Sequence, residues 1–257
     1  MNKWLERLRV PISIGIVLGV WQIVYGLGIV NPKYFPSVQS IAAAFWAMAA
    51  SGELLRADSL TFGRALFGLI GAGLLGIALA ILSDVFPVFG KGFRYISDVL
   101  QPIPPAAFVP MAVFSLGLGL KLYAFVIILV TVWPPYLNGV AGLNAVGTVQ
   151  LNTGRMLGCS TWDLLWKIKL PAALPEIFAG IRYAATISLI AVIVSEMLAG
   201  RDGVGFMIFK KAFAMRTPEV FALMFVVGIN GVVLNGLVNI LRRSFTGWHM
   251  GMMERHE

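Results

Sequence analysis

Two ionisable residues, Arg182 and Glu196, interrupt the apolar stretch between residues 177 and 200. A charge at membrane depth is costly and ordinarily faces a partner, a cavity or a water path. Arg182 lies about 9 Å along a helix from Glu176 at 1.5 Å per residue. It can therefore snorkel to an interface or serve a pathway, and both readings stand. Glu196 falls near the C-terminal end of its helix, where the dipole disfavours an anion. Arg201 is the expected partner, so Glu196 is either half of a structural ion pair or a gate residue, and Gly203-Val204-Gly205 would let the adjoining segment move. Little else supports hydrolytic or metal chemistry. The chain has one cysteine, Cys159, and two histidines, His249 and His256, both near the C-terminus. An intrachain disulfide, a cysteine-rich or histidine-ligated metal site and a serine–histidine site within the apolar stretches are all excluded.

Two phosphate-binding patterns fail in context. Gly71-Ala72-Gly73-Leu74-Leu75-Gly76 carries the letters of a dinucleotide fingerprint, but no strand precedes it. Gly68, Ala72, Gly76 and Ala80 recur every fourth residue, which makes one small-residue helix face for close packing. No GxxxxGK[ST] loop occurs, so the chain is not expected to hydrolyse ATP or to hold a cofactor or metal of its own. Prolines cluster at Pro102, Pro104, Pro105 and Pro110 and at Trp133-Pro134-Pro135. They free backbone carbonyls that neighbouring helices or a cavity must satisfy, so Pro104 and Pro105 mark either a pathway or packing kinks. Asn230, Asn235 and Asn239 carry the same two readings.

Residues 150–171 read as a helix, a glycine break and a second short helix. Gly158 suits the left-handed conformation that ends a helix. Ser160 caps the next helix, with Asp163 as its capping-box partner. Trp162 and Trp166 lie one turn apart, and Pro171 is expected to stop the helix. So much defined structure exceeds what a connection needs, and a docking element for a soluble partner is the functional reading.

The surrounding elements follow from composition. Of 257 residues, 58% are apolar and 12% charged, against about 25% charged in soluble domains. The chain is therefore an integral membrane protein, and its net charge of +8, spread in short clusters, suits lipid headgroups rather than nucleic acid. Crossing the hydrocarbon takes about 20 apolar residues. Windows at 10–30, 65–83, 99–120, 122–143, 177–200 and 220–241 predict an all-α fold of six spans. Lys3, Arg7 and Arg9 before the first window, against Lys33 after it, favour both termini in the cytoplasm. Two further segments read as interfacial helices: 38–50, with Ile41, Phe45 and Met48 on one face, and the stretch carrying Phe206, Phe209 and Phe213.

The spacing Gly158, Ile168, Leu170, Pro171 resembles the second half of the signature of ABC importer permeases. Gln101-Pro102-Ile103-Pro104-Pro105, Leu116-Gly117-Leu118-Gly119, Gly180-Ile181-Arg182 and Ser195-Glu196-Met197 resemble the taurine, alkanesulfonate and nitrate branch. The Glu-Ala-Ala that opens the signature is replaced by Asn152-Thr153-Gly154, which alters the expected polar contact with an ATPase and leaves Arg155 to contribute. The resemblance implies a type I importer permease (MetI-like) in the inner membrane. Residues 1–60 would form the N-terminus, first span and outer helix, and 61–257 the permease core. Implied partners are a second permease copy, two cytoplasmic ATPases using ATP and Mg, an extracytoplasmic solute-binding protein and the bilayer. The ATPases would dock at Asn152, Arg155, Gly158, Ser160, Trp162, Asp163, Ile168, Leu170 and Pro171. Pathway or gate candidates are Pro104, Pro105, Arg182, Glu196 and Asn230. An ion-coupled secondary transporter and an intramembrane protease are the rivals. The spans lack the midplane acids of the first and the paired aspartates of the second.

Overall fold

The computed structural model describes residues 3–253, with side chains described for 11–246. His249 and His256 therefore lie outside the described side chains. All regular elements among the described residues are helical. In chain order these are α1 (Lys3–Gly26), α2 (Val38–Ala50), α3 (Glu53–Val85), α4 (Pro87–Leu100), α5 (Pro105–Leu116), α6 (Leu120–Thr131) and α7 (Trp133–Asn144). There follow α8 (Thr148–Met156), α9 (Thr161–Asp163), a π-helical turn over Leu164–Lys169, α10 (Leu170–Ala199), α11 (Val204–Phe213) and α12 (Thr217–Met253).

The six-span count is not reproduced exactly among the described residues. Four helical stretches are long and apolar enough to cross a membrane: Glu53–Val85, Leu120–Asn144, Thr161–Ala199 and Thr217–Thr246. A fifth span exists only as the pair α4 and α5, bent by 100°. Window 99–120 was therefore not one helix: Pro102, Pro104 and Pro105 divide it, because none can donate a backbone hydrogen bond. The apolar described part of α1, Pro11–Gly26, is shorter than a span. The expected stop at Pro171 is also wrong. Pro171 is the second residue of α10, directly after the π-helical turn, and helix runs through it and past Pro175. The entry of the fifth predicted span thus lies upstream of residue 177.

Small residues set the packing. The Gly68–Ala80 face lies against α6 and α7: Gly68 meets Ile127, and a methyl at Gly76 would stand 2.8 Å from Val132 O and 2.9 Å from Pro135 Cβ. Further along, Gly139 packs on Ala80, so α3 and α6–α7 run side by side in the same direction. α10 runs the opposite way, with Gly142 against Ala173 and Gly180 against Pro134 O and Asn138. The carbonyl of Pro134 is met by Asn138 Nδ2 at 2.9 Å. These contacts leave α10 central, buried along one face by Ala184, Ala185, Leu189 and Val192. α2 uses Ile41 and Met48 to pack into a second core shared with α11 and α12, so its apolar face is covered by protein.

Candidate functional site: a docking hairpin and a charged latch joined by one helix

At one end of α10 the predicted hairpin is present. Gly158 adopts φ +81° with open space around it, and its N–H bonds to Arg155 O at 3.0 Å while Cys159 N–H reaches Gly154 O at 3.0 Å. Ser160 and Asp163 form the reciprocal capping box, with Asp163 N–H to Ser160 Oγ at 3.2 Å and Ser160 N–H to Asp163 Oδ2 at 3.2 Å. α8 folds back on the π-helical turn at buried Gly154, where an added methyl would stand 2.6 Å from both Ile168 Cδ1 and Leu164 Cδ2. That contact explains the glycine at the third position, a packing point with Ile168 as a partner; nothing in the structure explains Asn152 and Thr153 before it.

The hairpin's other face is bare. Met156 is 89% exposed, Leu157 79%, Trp162 59% and Trp166 53%. Asn152 and Arg155 are exposed beside them and share a 3.2 Å hydrogen bond. Apolar side chains clustered among polar ones on a capped hairpin make a candidate interaction surface. The hairpin is fastened to the bundle by Lys169, whose Nζ lies 2.7 and 2.9 Å from the Asp84 carboxylate at the end of α3. A cavity of about 410 Å³ opens between them, lined by Phe86, Leu151, Arg155 and Trp162 among others. Sequence reading missed Asp84, which lies one residue past the window 65–83.

At the other end of α10 the expected Glu196–Arg201 pair does not form. Glu196 is fully buried and accepts a hydrogen bond from Arg64 Nη1 at 2.7 Å, one from the Thr61 hydroxyl at 2.8 Å and one from Gly205 N–H at 3.0 Å. Thr61 in turn accepts the N–H of Val204 at 2.8 Å. Arg64 spans further to Asp202 at 2.6 Å and lies 4.1 Å over the Tyr123 ring. The unfavourable dipole of α10 is thus answered by the N-terminus of α11, which gives the anion the Gly205 N–H directly and holds Thr61 through the Val204 N–H. Gly203 and Gly205 both pack directly on Glu196. Gly203, at φ +93°, has its missing side chain replaced by the Glu196 carboxylate, and a methyl at Gly205 would stand 2.8 Å from Glu196 Cβ. Both are glycine to let backbone approach an acid. Thr61 and Arg64 lie one turn apart on α3, just before the apolar window that opens at residue 65.

The pathway candidates separate. Pro104 and Pro105 stand at the start of α5 and line a cavity of about 250 Å³ with Gln101, Pro134, Tyr183 and Ile187, where the α4–α5 bend meets the α6–α7 break. Arg182 lines a different groove between α10 and α12. Asn230 faces no described cavity: it is 6% exposed and donates to Asp58 Oδ1 at 2.6 Å. Among the described residues no group of His, Cys, Asp and Glu is placed to hold a metal ion.

Comparison with known proteins gives concordant results. Residues 72–246 match the family of binding-protein-dependent transport system inner membrane components. The taurine transport system permease protein TauC of Escherichia coli is 28% identical over 96% of this chain and 93% of its own length. A putative aliphatic sulfonates transport permease protein SsuC of Bacillus subtilis is 29% identical over 95% and 88%. The nitrate import permease protein NrtB of Leptolyngbya laminosa is 29% identical over 91% and 87%. An inward-facing structure of the MetNI methionine ABC transporter shares the fold, with 16% identity and a TM-score of 0.66 over 77% of this chain and 98% of that one.

Proposed function

Because the chain belongs to the family of binding-protein-dependent transport system inner membrane components, we propose that with a second copy it forms the membrane pathway of an ATP-driven importer for a small oxyanion. The observation that carries this reading is the hairpin around Gly158, a rigid element presenting bare Met156, Leu157, Trp162 and Trp166 at one end of a lipid-embedded bundle. Two separate ATPases, supplied with ATP and Mg, dock there on the cytoplasmic side, and a solute-binding protein docks at the opposite end. The relatives' named substrates, taurine, aliphatic sulfonates and nitrate, have sulfonate or nitrate oxygens in common, which supports the oxyanion class. The bundle lies in the inner membrane with both termini in the cytoplasm.

The mechanism follows from the connections. α10 is 30 residues long, about 45 Å at 1.5 Å per residue, and enters directly from the hairpin through the π-helical turn. Closure of the ATPases displaces the hairpin, and Lys169–Asp84 passes that displacement to α3 as well as α10. At the far end the same two helices are clasped by Arg64–Glu196. A rigid lever fixed at both ends transmits a motion that a loose loop would absorb. The chain's own residues bind partners and guide solute; hydrolysis occurs in the ATPases.

The test is reconstitution of the chain with its ATPase and binding protein in liposomes. Accumulation of taurine, ethanesulfonate or nitrate that requires ATP and all three proteins is the expected result. Accumulation driven by an ion gradient with the ATPase omitted would refute the proposal in favour of secondary transport.

A further inference from the structure

Between α10 and α12 runs an open groove of about 730 Å³, lined by Arg182, Tyr183, Thr186, Asn235 and Asn239, with Gly228, Gly231 and Gly236 giving it room. Arg182 lies about 18 Å along α10 from Leu170 at 1.5 Å per residue, well inside the membrane-spanning stretch. It is exposed and has no carboxylate partner among the described residues, whereas Arg64 and Lys169 are both paired. The Tyr183 and Thr186 hydroxyls and the Asn239 amide also have no hydrogen-bond partner among the described residues; only Asn235 uses its amide, on Gly231 O at 2.9 Å.

A guanidinium at this depth is costly unless it meets water or an anion. No acidic residue lines the groove. The walls therefore offer one fixed positive charge and several neutral donors, with the planar fork that matches an oxyanion. A plain helix-packing face would hold the same glycines without an unpaired arginine among them. Resting on the importer reading above, we propose that this groove is an oxyanion subsite of the translocation pathway, with Arg182 as the charge and Thr186, Asn235 and Asn239 as neutral contacts. The chemistry fits a sulfonate or nitrate in transit and also the phosphate of a lipid headgroup; the proposal commits to the transported anion.

The test uses the complete complex of permease, ATPase and binding protein in phosphatidylcholine nanodiscs. Cys159 is the single cysteine, so Cys159→Ser with Val232→Cys, or with Gly228→Cys as a second reporter, places one thiol in the groove beside the proposed contacts. Thiosulfonate reagents of opposite charge are compared, each relative to its rate with free cysteine. The anionic reagent should react about tenfold faster, as expected for a cleft of one charge sign. Millimolar nitrate or ethanesulfonate should slow it, and Arg182→Gln, but not Arg182→Lys, should abolish the preference. Equal rates for both reagents, or a preference that survives Arg182→Gln, would overturn the subsite. So would protection that appears only when phosphatidylglycerol enters the nanodisc, which would assign the groove to lipid. Hydrolysis stimulated by loaded binding protein is measured on the same samples. If it persists while the charge preference is absent, the subsite fails and the importer reading stands; if it is absent from the complex carrying the unaltered chain, the importer reading itself fails.

Discussion

Replacing Arg64 should destabilise the protein more than replacing Glu196, although the two form one ion pair. The asymmetry comes from their other partners. With Glu196→Gln, Arg64 keeps Asp202 at 2.6 Å and its place over Tyr123, so its charge is not stranded. With Arg64→Gln, Glu196 remains fully buried with only the Thr61 hydroxyl and the Gly205 N–H, and no second cation meets it among the described residues. Breaking a buried pair costs about 3–5 kcal/mol when a charge is left uncompensated. Arg64→Gln belongs in that range, and Glu196→Gln at about 1.5–3 kcal/mol, the loss of a charge-assisted hydrogen bond. At about 2–4 °C per kcal/mol for a chain of this size, the two melting temperatures should differ by several degrees. Asp202 is 51% exposed in its side chain, so Asp202→Asn should cost under about 1 kcal/mol, and Arg201→Gln should lie within about 0.5 kcal/mol of wild type. The double change Arg64→Gln with Glu196→Gln should cost less than the sum of the two. Thermal melting in detergent, followed by loss of the monodisperse species, reads all five. Equal shifts for Arg64→Gln and Glu196→Gln, or a large shift for Arg201→Gln, would refute the account of the latch.

Gly158→Val should leave membrane levels near wild type but weaken ATPase association, because φ +81° strains an L-residue by about 1–2 kcal/mol at a site with no steric clash; pull-down at equal expression reads it. Gly180→Ala should lower stability by about 1–3 kcal/mol through overpacking, since the new methyl would stand 2.6 Å from Pro134 O. Gly73→Ala, where nothing lies within 4 Å, should instead gain up to about 1 kcal/mol; comparison of the two melting curves checks both. Lys169→Ala should uncouple ATP hydrolysis from uptake without loss of assembly, which simultaneous assay of both in liposomes would show.

What could be read from the chain divides by range. The Gly158 break and the Ser160–Asp163 box are local, set by residues within one turn, and sequence alone locates them. The small-residue face from Gly68 to Ala80 is also legible, because its spacing needs only helix geometry. Partner choice over distance is not. Arg64 and Glu196 are 132 positions apart, and Arg201 is the nearer cation in sequence, yet α11 turns its own N-terminus onto the acid and leaves Arg64 to complete the shell. Hydropathy over 99–120 averaged across a sharp bend and so read two helices as one. Pro171 was misread for a different reason: it falls directly after a π-helical turn, a shift of hydrogen-bond register through which the helix continues. The groove at Arg182 depends on where α12 lies against α10, which no spacing in either helix specifies.

The central claim is that this chain supplies the pathway and docking surface while a separate subunit supplies the energy. ATP hydrolysis by the purified chain, alone and then with its ATPase and loaded binding protein, tests it most directly. The account predicts background hydrolysis by the chain alone, activity once the ATPase is added, and a further rise with loaded binding protein that Gly158→Val suppresses. Hydrolysis by this chain alone, with contaminating ATPases excluded by mass spectrometry, would contradict it.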